Sequence, residues 1–176
     1  MSSIRSTGPG PAVPSVARAA RIFYFAEQLG GVLYRRFADG VDNEDVQHAL
    51  HGFGSDEYRH ADWYLEWLLD RGVEPPRLES VANRVAPVAS RLLAPRSLEE
   101  QLRLFSNGEA TAARHLRGLV GRISDPSLRA IVERTIPAEQ GHADWLPGVG
   151  HRMLRDSDRT RGTWFSVIRP ASPARR

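Results

Sequence analysis

The sequence predicts an all-α protein: a four-helix bundle made of two repeated helical hairpins with a long crossover between them. Three observations point there. Apolar residues recur at helical spacing over four stretches bounded by capping signals, the second half repeats the first at an offset of 82 residues, and the middle connection is far longer than the other two. At 176 residues with 41% apolar content, the chain has material for one hydrophobic core and little more. One domain over 15–150 is expected, between a flexible Ser-, Gly- and Pro-rich tail at 1–14 and a basic, Pro-containing tail at 151–176.

The first helix is expected over 15–39, where Phe23, Ala26, Gly30, Leu33, Tyr34 and Phe37 share one side. Its close at Asp39-Gly40 suits a glycine in the left-handed conformation. Asp42 is the expected N-cap of the second helix, which runs to about Arg71-Gly72 and is stopped by Pro75-Pro76. Over 77–94, Leu78, Val81, Val85, Val88 and Leu92 fit a short helix interrupted at Pro87, a crossover covering one end or side of the bundle. Ser97 followed by Glu100 is a capping-box signature and opens a third helix toward Arg122. Asp125-Pro126 supplies an N-cap and a first-turn proline for a fourth helix ending near Leu146-Pro147. Short turns make helices one and two, and three and four, antiparallel pairs, while the crossover leaves the second and third free to run parallel.

Composition removes several function classes. All 24 basic residues are arginine, scattered among 21 acidic ones with no stripe along one helix, so a pI near 9.9 describes a mixed-charge surface and not a nucleic-acid site. No apolar run is long enough to cross a bilayer, and the first 14 residues carry no signal-peptide core, so a cytoplasmic protein is expected. There is no cysteine. That excludes disulfides, thiolate zinc sites, Cys-ligated iron-sulfur clusters and a rubredoxin-type relay within this chain, so any metal must be held by His and carboxylate.

The repeat carries the chemistry. The offset superimposes Arg21 on Arg103, Phe23 on Phe105, Glu27 on Glu109, Glu57 on Glu139, and His60-Ala61-Asp62-Trp63 on His142-Ala143-Asp144-Trp145. With ~1.5 Å of rise per residue, the path from Glu27 to the first turn is about 18 to 20 Å and the return to Glu57 about 22 Å. For Glu109 and Glu139 the same paths are about 21 to 24 Å and about 20 Å. All four carboxylates therefore reach one depth, with His60 and His142 one turn beyond their glutamates on the same face. Burying four carboxylates without counter-charge costs on the order of several kcal/mol per ion, and two divalent cations match their formal charge. Oxygen and imidazole donors in this ratio suit two iron ions, with an Fe/Mn or Mn pair as substitutes.

On this pattern, Glu27, Glu57, His60, Glu109, Glu139 and His142 give the chain a sequence that resembles the ferritin-like di-iron carboxylate superfamily from about residue 15 to 150. The resemblance implies a ferritin-like four-helix bundle with these six as catalytic metal ligands. Glu57 and Glu139 would bridge, Glu27 and Glu109 would bind terminally, and each histidine would complete one iron. Bacterioferritins, rubrerythrins, demethoxyubiquinone hydroxylases and aldehyde-deformylating oxygenases share that set. Ala112 and Ala113 stand where rubrerythrins carry a further carboxylate, which disfavours a peroxidase of that type. Asp56-Glu57-Tyr58-Arg59-His60 is similar to the Asp-Glu-x-Arg-His segment of multicomponent monooxygenases and acyl desaturases, where Asp56 and Arg59 would orient a ligand histidine from behind. The second half has Ala138 and Gly141 at those places, so this support is one-sided. His115, the Leu92-Leu93-Ala94 segment and the compact size are similar to demethoxyubiquinone hydroxylases.

The expected function is therefore an oxygen-dependent non-haem di-iron oxidase or monooxygenase acting on a small organic substrate. Dioxygen, the small-molecule substrate and a separate reductase are its expected partners, and a homodimer is compatible with the reading. The alternative is a bacterioferritin-like ferroxidase that stores iron in a shell. Gly30, Gly31, Gly54, Gly108 and Gly141 beside the six residues would either leave room for substrate or allow close helix packing, and Pro137 should kink or widen the fourth helix. Tyr24, Trp63 and Trp145, each one turn from a ligand, are expected to be core, the alternative being a pocket lining or an electron path.

Overall fold

The computed structural model describes residues 14–76, 84–85, 87–88, 91 and 96–157. Among the described residues there are four long helices and no strand: α1 over Pro14–Ala38, α2 over Glu44–Asp70, α3 over Leu98–Val120 and α4 over Pro126–Ser157. The described crossover residues are also helical, with Val85 and Val88 exposed. Leu78, Val81, Leu92 and most of both tails lie outside the described residues. None of the described helices is long and apolar enough to cross a membrane.

Local signals fix the helix ends. Ser97 and Glu100 form a reciprocal capping box at the start of α3. Asp125 Oδ1 accepts from the Leu128 N–H at 2.9 Å at the start of α4, with Pro126 in its first turn. The N-cap of α2 is Asn43, whose side chain accepts from the Val46 N–H at 3.0 Å, one residue beyond the expected Asp42. The left-handed glycine is also not where it was expected. Gly40 closes α1 through hydrogen bonds of the tighter three-residue type, and Gly72 carries the positive φ of 64° at the end of α2. There Val73 N bonds Leu68 O and Gly72 N bonds Leu69 O, both at 2.9 Å, closing a Schellman motif before the two prolines.

The expected stop of α4 at Pro147 is corrected: α4 runs through Pro137 and Pro147 to Ser157. A proline deprives the carbonyl four residues earlier of its donor. For Pro147 that carbonyl belongs to Ala143, and Ser106 Oγ on α3 donates to it at 2.9 Å. The neighbouring helix supplies what the proline withdraws.

Helix α1 packs along α2 and α3 along α4, and α2 also meets α4. The core divides into two clusters. One gathers Tyr34, Phe37, Val41, Val46, Leu50, Leu102, Leu146 and Val149, and the other gathers Ala20, Tyr64, Trp67, Leu68, Leu116, Ile123, Leu128 and Val132. Every helix contributes to both. Two turns before and after Glu27 stand Ala20 and Tyr34, and around Glu57, Leu50 and Tyr64. Around Glu109 stand Leu102 and Leu116, and around Glu139, Val132 and Leu146. Each glutamate thus occupies a core position of its own helix, in the layer between the two apolar clusters.

Candidate metal centre

That layer is where the polar atoms collect. Glu27, Glu57, His60, Glu109, Glu139 and His142 are each 9% exposed or less. The structure brings all six together in two overlapping sets, in each of which one donor atom per residue lies within 4.8 Å of the others. The first set is Glu27, Glu57, His60 and Glu139; the second is Glu57, Glu109 and His142. His60 Nδ1 lies 3.4 Å from Glu27 Oε2 and 3.3 Å from Glu139 Oε1. His142 Nδ1 lies 3.2 Å from Glu57 Oε1 and 4.0 Å from Glu109 Oε2.

Close as they are, these atoms are not aligned as hydrogen bonds. Glu57 Oε1, Glu139 Oε1, His60 Nδ1 and His142 Nδ1 are all buried without a hydrogen-bond partner. A buried polar atom normally has one, and four of them turned toward a common interior suit a ligand that accepts lone pairs.

The electrostatics agree. Burial raises the Glu27 carboxyl to about 8, with the Glu139 charge adding to the effect. It raises Glu109 to about 11, reinforced by Glu139 and Glu57, and pushes Glu57 well above the carboxylate range. Glu139 moves the other way: burial alone would raise it, but the His60 imidazole holds it below its ordinary value. Burial would lower His142, but the carboxylates of Glu57, Glu139 and Asp56 outweigh it and raise it. Carboxyl groups that hold protons for want of a counter-charge, next to imidazole nitrogens without hydrogen-bond partners, suit bound cations.

Asp56 and Arg59 stand behind this layer. Arg59, on the exposed side of α2, pairs with Asp56 Oδ1, and Asp56 Oδ2 lies 3.3 Å from Nε2 of His142. The aspartate therefore serves the histidine of the opposite hairpin and not His60 on its own helix. Ala138, at the matching place on α4, can offer His60 no such group. Sequence reasoning missed Tyr34. Its hydroxyl donates to Glu109 Oε1 at 2.5 Å, and burial together with the Glu109 carboxylate keeps the phenol protonated. Its position on the apolar stripe of α1, two turns after Glu27, was the available signal. The repeat-equivalent residue, Leu116, has no such donor.

Aromatic rings close the surroundings. Phe53 lies 4.2 Å from the His142 ring and Trp145 stands edge-on to Phe53 at 5.2 Å. Trp63 is 5.1 Å from His60 and carries the Arg134 guanidinium over its face at 3.3 Å. Trp63 is half-buried, Trp145 packs against the first apolar cluster, and Tyr24 packs against the second. His115 is exposed. The glycines divide: Gly30, Gly31 and Gly54 lie in the close approach of α1 and α2, whereas Gly108 and Gly141 face open space.

A family model described as Rubrerythrin matches residues 23–148, a span that contains all six converging residues. No match is found among curated proteins, and none among solved structures. Within the matched span, the turn after Glu109 carries Ala112 and Ala113 and no further carboxylate.

Proposed function

The chain belongs to the rubrerythrin family, and from that premise we propose that it is an oxygen-dependent non-haem di-iron oxidoreductase acting on a small organic substrate. The observation that carries the reading is the set of inward-facing buried donor atoms without hydrogen-bond partners. Glu27, Glu57, Glu139 and His60 would hold one ion, and Glu57, Glu109 and His142 the other, with Glu57 common to both and Glu139 a second candidate for bridging. Iron held there would supply redox chemistry toward dioxygen.

The chain's own residues prepare such a site. Asp56 accepts from Nε2–H of His142, which fixes the tautomer in which Nδ1 presents its lone pair inward. Tyr34 occupies Oε1 of Glu109 and leaves Oε2 as the oxygen nearer His142. Glu27 and Glu109, which hold protons in the metal-free chain, would have to release them to serve as ligands. The rings of Tyr34, Phe53 and Phe105 keep bulk water from the His142 side.

Anaerobic loading with ferrous iron followed by mixing with dioxygen tests the proposal. Oxygen should be consumed in proportion to a two-iron centre, and consumption should continue only while an external reductant is supplied. A hollow multi-subunit particle by size-exclusion chromatography, accumulating ferric mineral far beyond two irons per chain, would establish the bacterioferritin-like alternative instead.

A further inference from the structure

Gly30 of α1 lies directly against the carboxylate of Glu57. A Cβ at Gly30 would stand 3.0 Å from Glu57 Oε2, 3.3 Å from its Cγ and 3.4 Å from its Cδ. Glu57 is only 4% exposed, so it has little room to withdraw from such an atom. The neighbouring glycines have other work. A Cβ at Gly31 would meet the Tyr58 ring at 2.8 Å, and one at Gly54 would meet the Gly31 carbonyl oxygen at 3.3 Å. Both serve the approach of α1 to α2, away from the polar layer. Glycine inside a helix is unfavourable relative to alanine, so its place at 30 calls for a compensating role.

The internal repeat offers a comparison. The position equivalent to Gly30 in the second hairpin is Ala112, and the residue equivalent to Glu57 is Glu139. The first hairpin leaves a recess where the second carries a methyl group. Glu57 belongs to both donor sets, and Glu139, a member of the first, also meets Glu109.

We propose that Gly30 is a positioning residue for Glu57: the missing Cβ gives the Glu57 carboxylate the space from which it serves both ion positions. The break in the repeat, Gly30 against Ala112, gives this space to Glu57 and not to Glu139. The inference rests on the two-ion reading given above.

Manganese(II) alone is the probe, titrated into metal-free protein and followed by bound stoichiometry and EPR. The wild type should bind two ions per chain and show the narrowed hyperfine pattern of an exchange-coupled pair. Gly30→Ala should lose the coupled pattern and bind the second ion at least about tenfold more weakly, the scale on which a disturbed supporting residue weakens a metal site. Gly31→Ala, which meets Tyr58, should lower stability yet keep the coupled pattern. A wild type that binds fewer than two ions overturns the two-ion reading and this inference together. Two coupled ions in both wild type and Gly30→Ala overturn this inference alone. A double-mutant cycle on the metal-free protein guards against a folding defect. Gly30→Ala should lower the melting temperature when Glu57 is present and leave it unchanged or raised in a Glu57→Ala background. An equal loss in both backgrounds would mean that Gly30 serves helix packing, and would overturn the assignment.

Discussion

Tyr34 on α1 donates its hydroxyl proton to Oε1 of Glu109 on α3 at 2.5 Å, a bond that joins the two hairpins. Both groups are buried, so removing the donor leaves a carboxyl oxygen unsatisfied. Tyr34→Phe should cost about 1–2 kcal/mol in urea unfolding of the metal-free protein, within the range for an unpaired buried polar group. It should also weaken the second ion more than the first in a metal titration, since Glu109 lies in the second donor set alone.

Asp56 makes the two histidines unequal. Asp56→Ala should weaken metal at the His142 position by about 10–100-fold and leave the His60 position nearly unchanged, which a two-phase manganese titration resolves. Arg59→Ala should do much less, because the Arg59 side chain is largely exposed and an ion pair there is screened. Equal weakening of both ions in Asp56→Ala would refute the specific role of the aspartate.

Metal-free protein should lose stability as pH rises. Glu27 at about 8 and Glu109 at about 11 hold protons in the folded chain at pH values where the unfolded chain has already released them. A raised carboxyl contributes its full stability below the unfolded pKa and loses it as pH climbs through the folded one. His142, also raised, acts in the same direction. Melting temperatures of chelator-treated protein should therefore fall between about pH 5 and about pH 9, while loaded protein changes little over that window. Loading at neutral pH should release protons, measurable in weakly buffered solution, and apparent affinity should rise with pH.

At the far end of the bundle, Asp125 caps α4 and also accepts from Trp67 Nε1 at 3.1 Å and from Arg71 at 2.8 Å. Burial works against the Asp125 charge, but these donors and Ser127 hold the carboxyl well below its usual range. Its contribution is present above the ordinary aspartate pKa and is lost only as pH falls through the depressed value. Asp125→Ala removes the cap and takes the counter-charge from the half-buried Arg71, so it should cost about 1–3 kcal/mol in denaturant unfolding. Bound manganese per chain should be unchanged.

The helices, the hairpin repeat and the convergence of six side chains at one depth were legible because each follows from contacts only a turn or two apart along the chain. Heptad spacing puts each glutamate on its helix's buried stripe, and the capping signals at Ser97 and Asp125 depend on atoms three residues away. Where the competition was between neighbours the reading slipped by little, as with Asn43 for Asp42. It failed at Pro147, because the group that tolerates the proline, Ser106, sits on another helix.

By itself, then, the sequence determined the bundle, the family and the six residues that meet in its middle layer. Only the tertiary structure decided that Tyr34 holds Glu109, that Asp56 crosses to His142 instead of serving its own helix, and that Gly30 makes room for Glu57. The physical reason is that periodicity sets which face of a helix is buried, but not which atom on the opposing helix it will meet. That choice depends on the rotation and depth at which two hairpins dock, and these are fixed by packing the two apolar clusters above and below the polar layer.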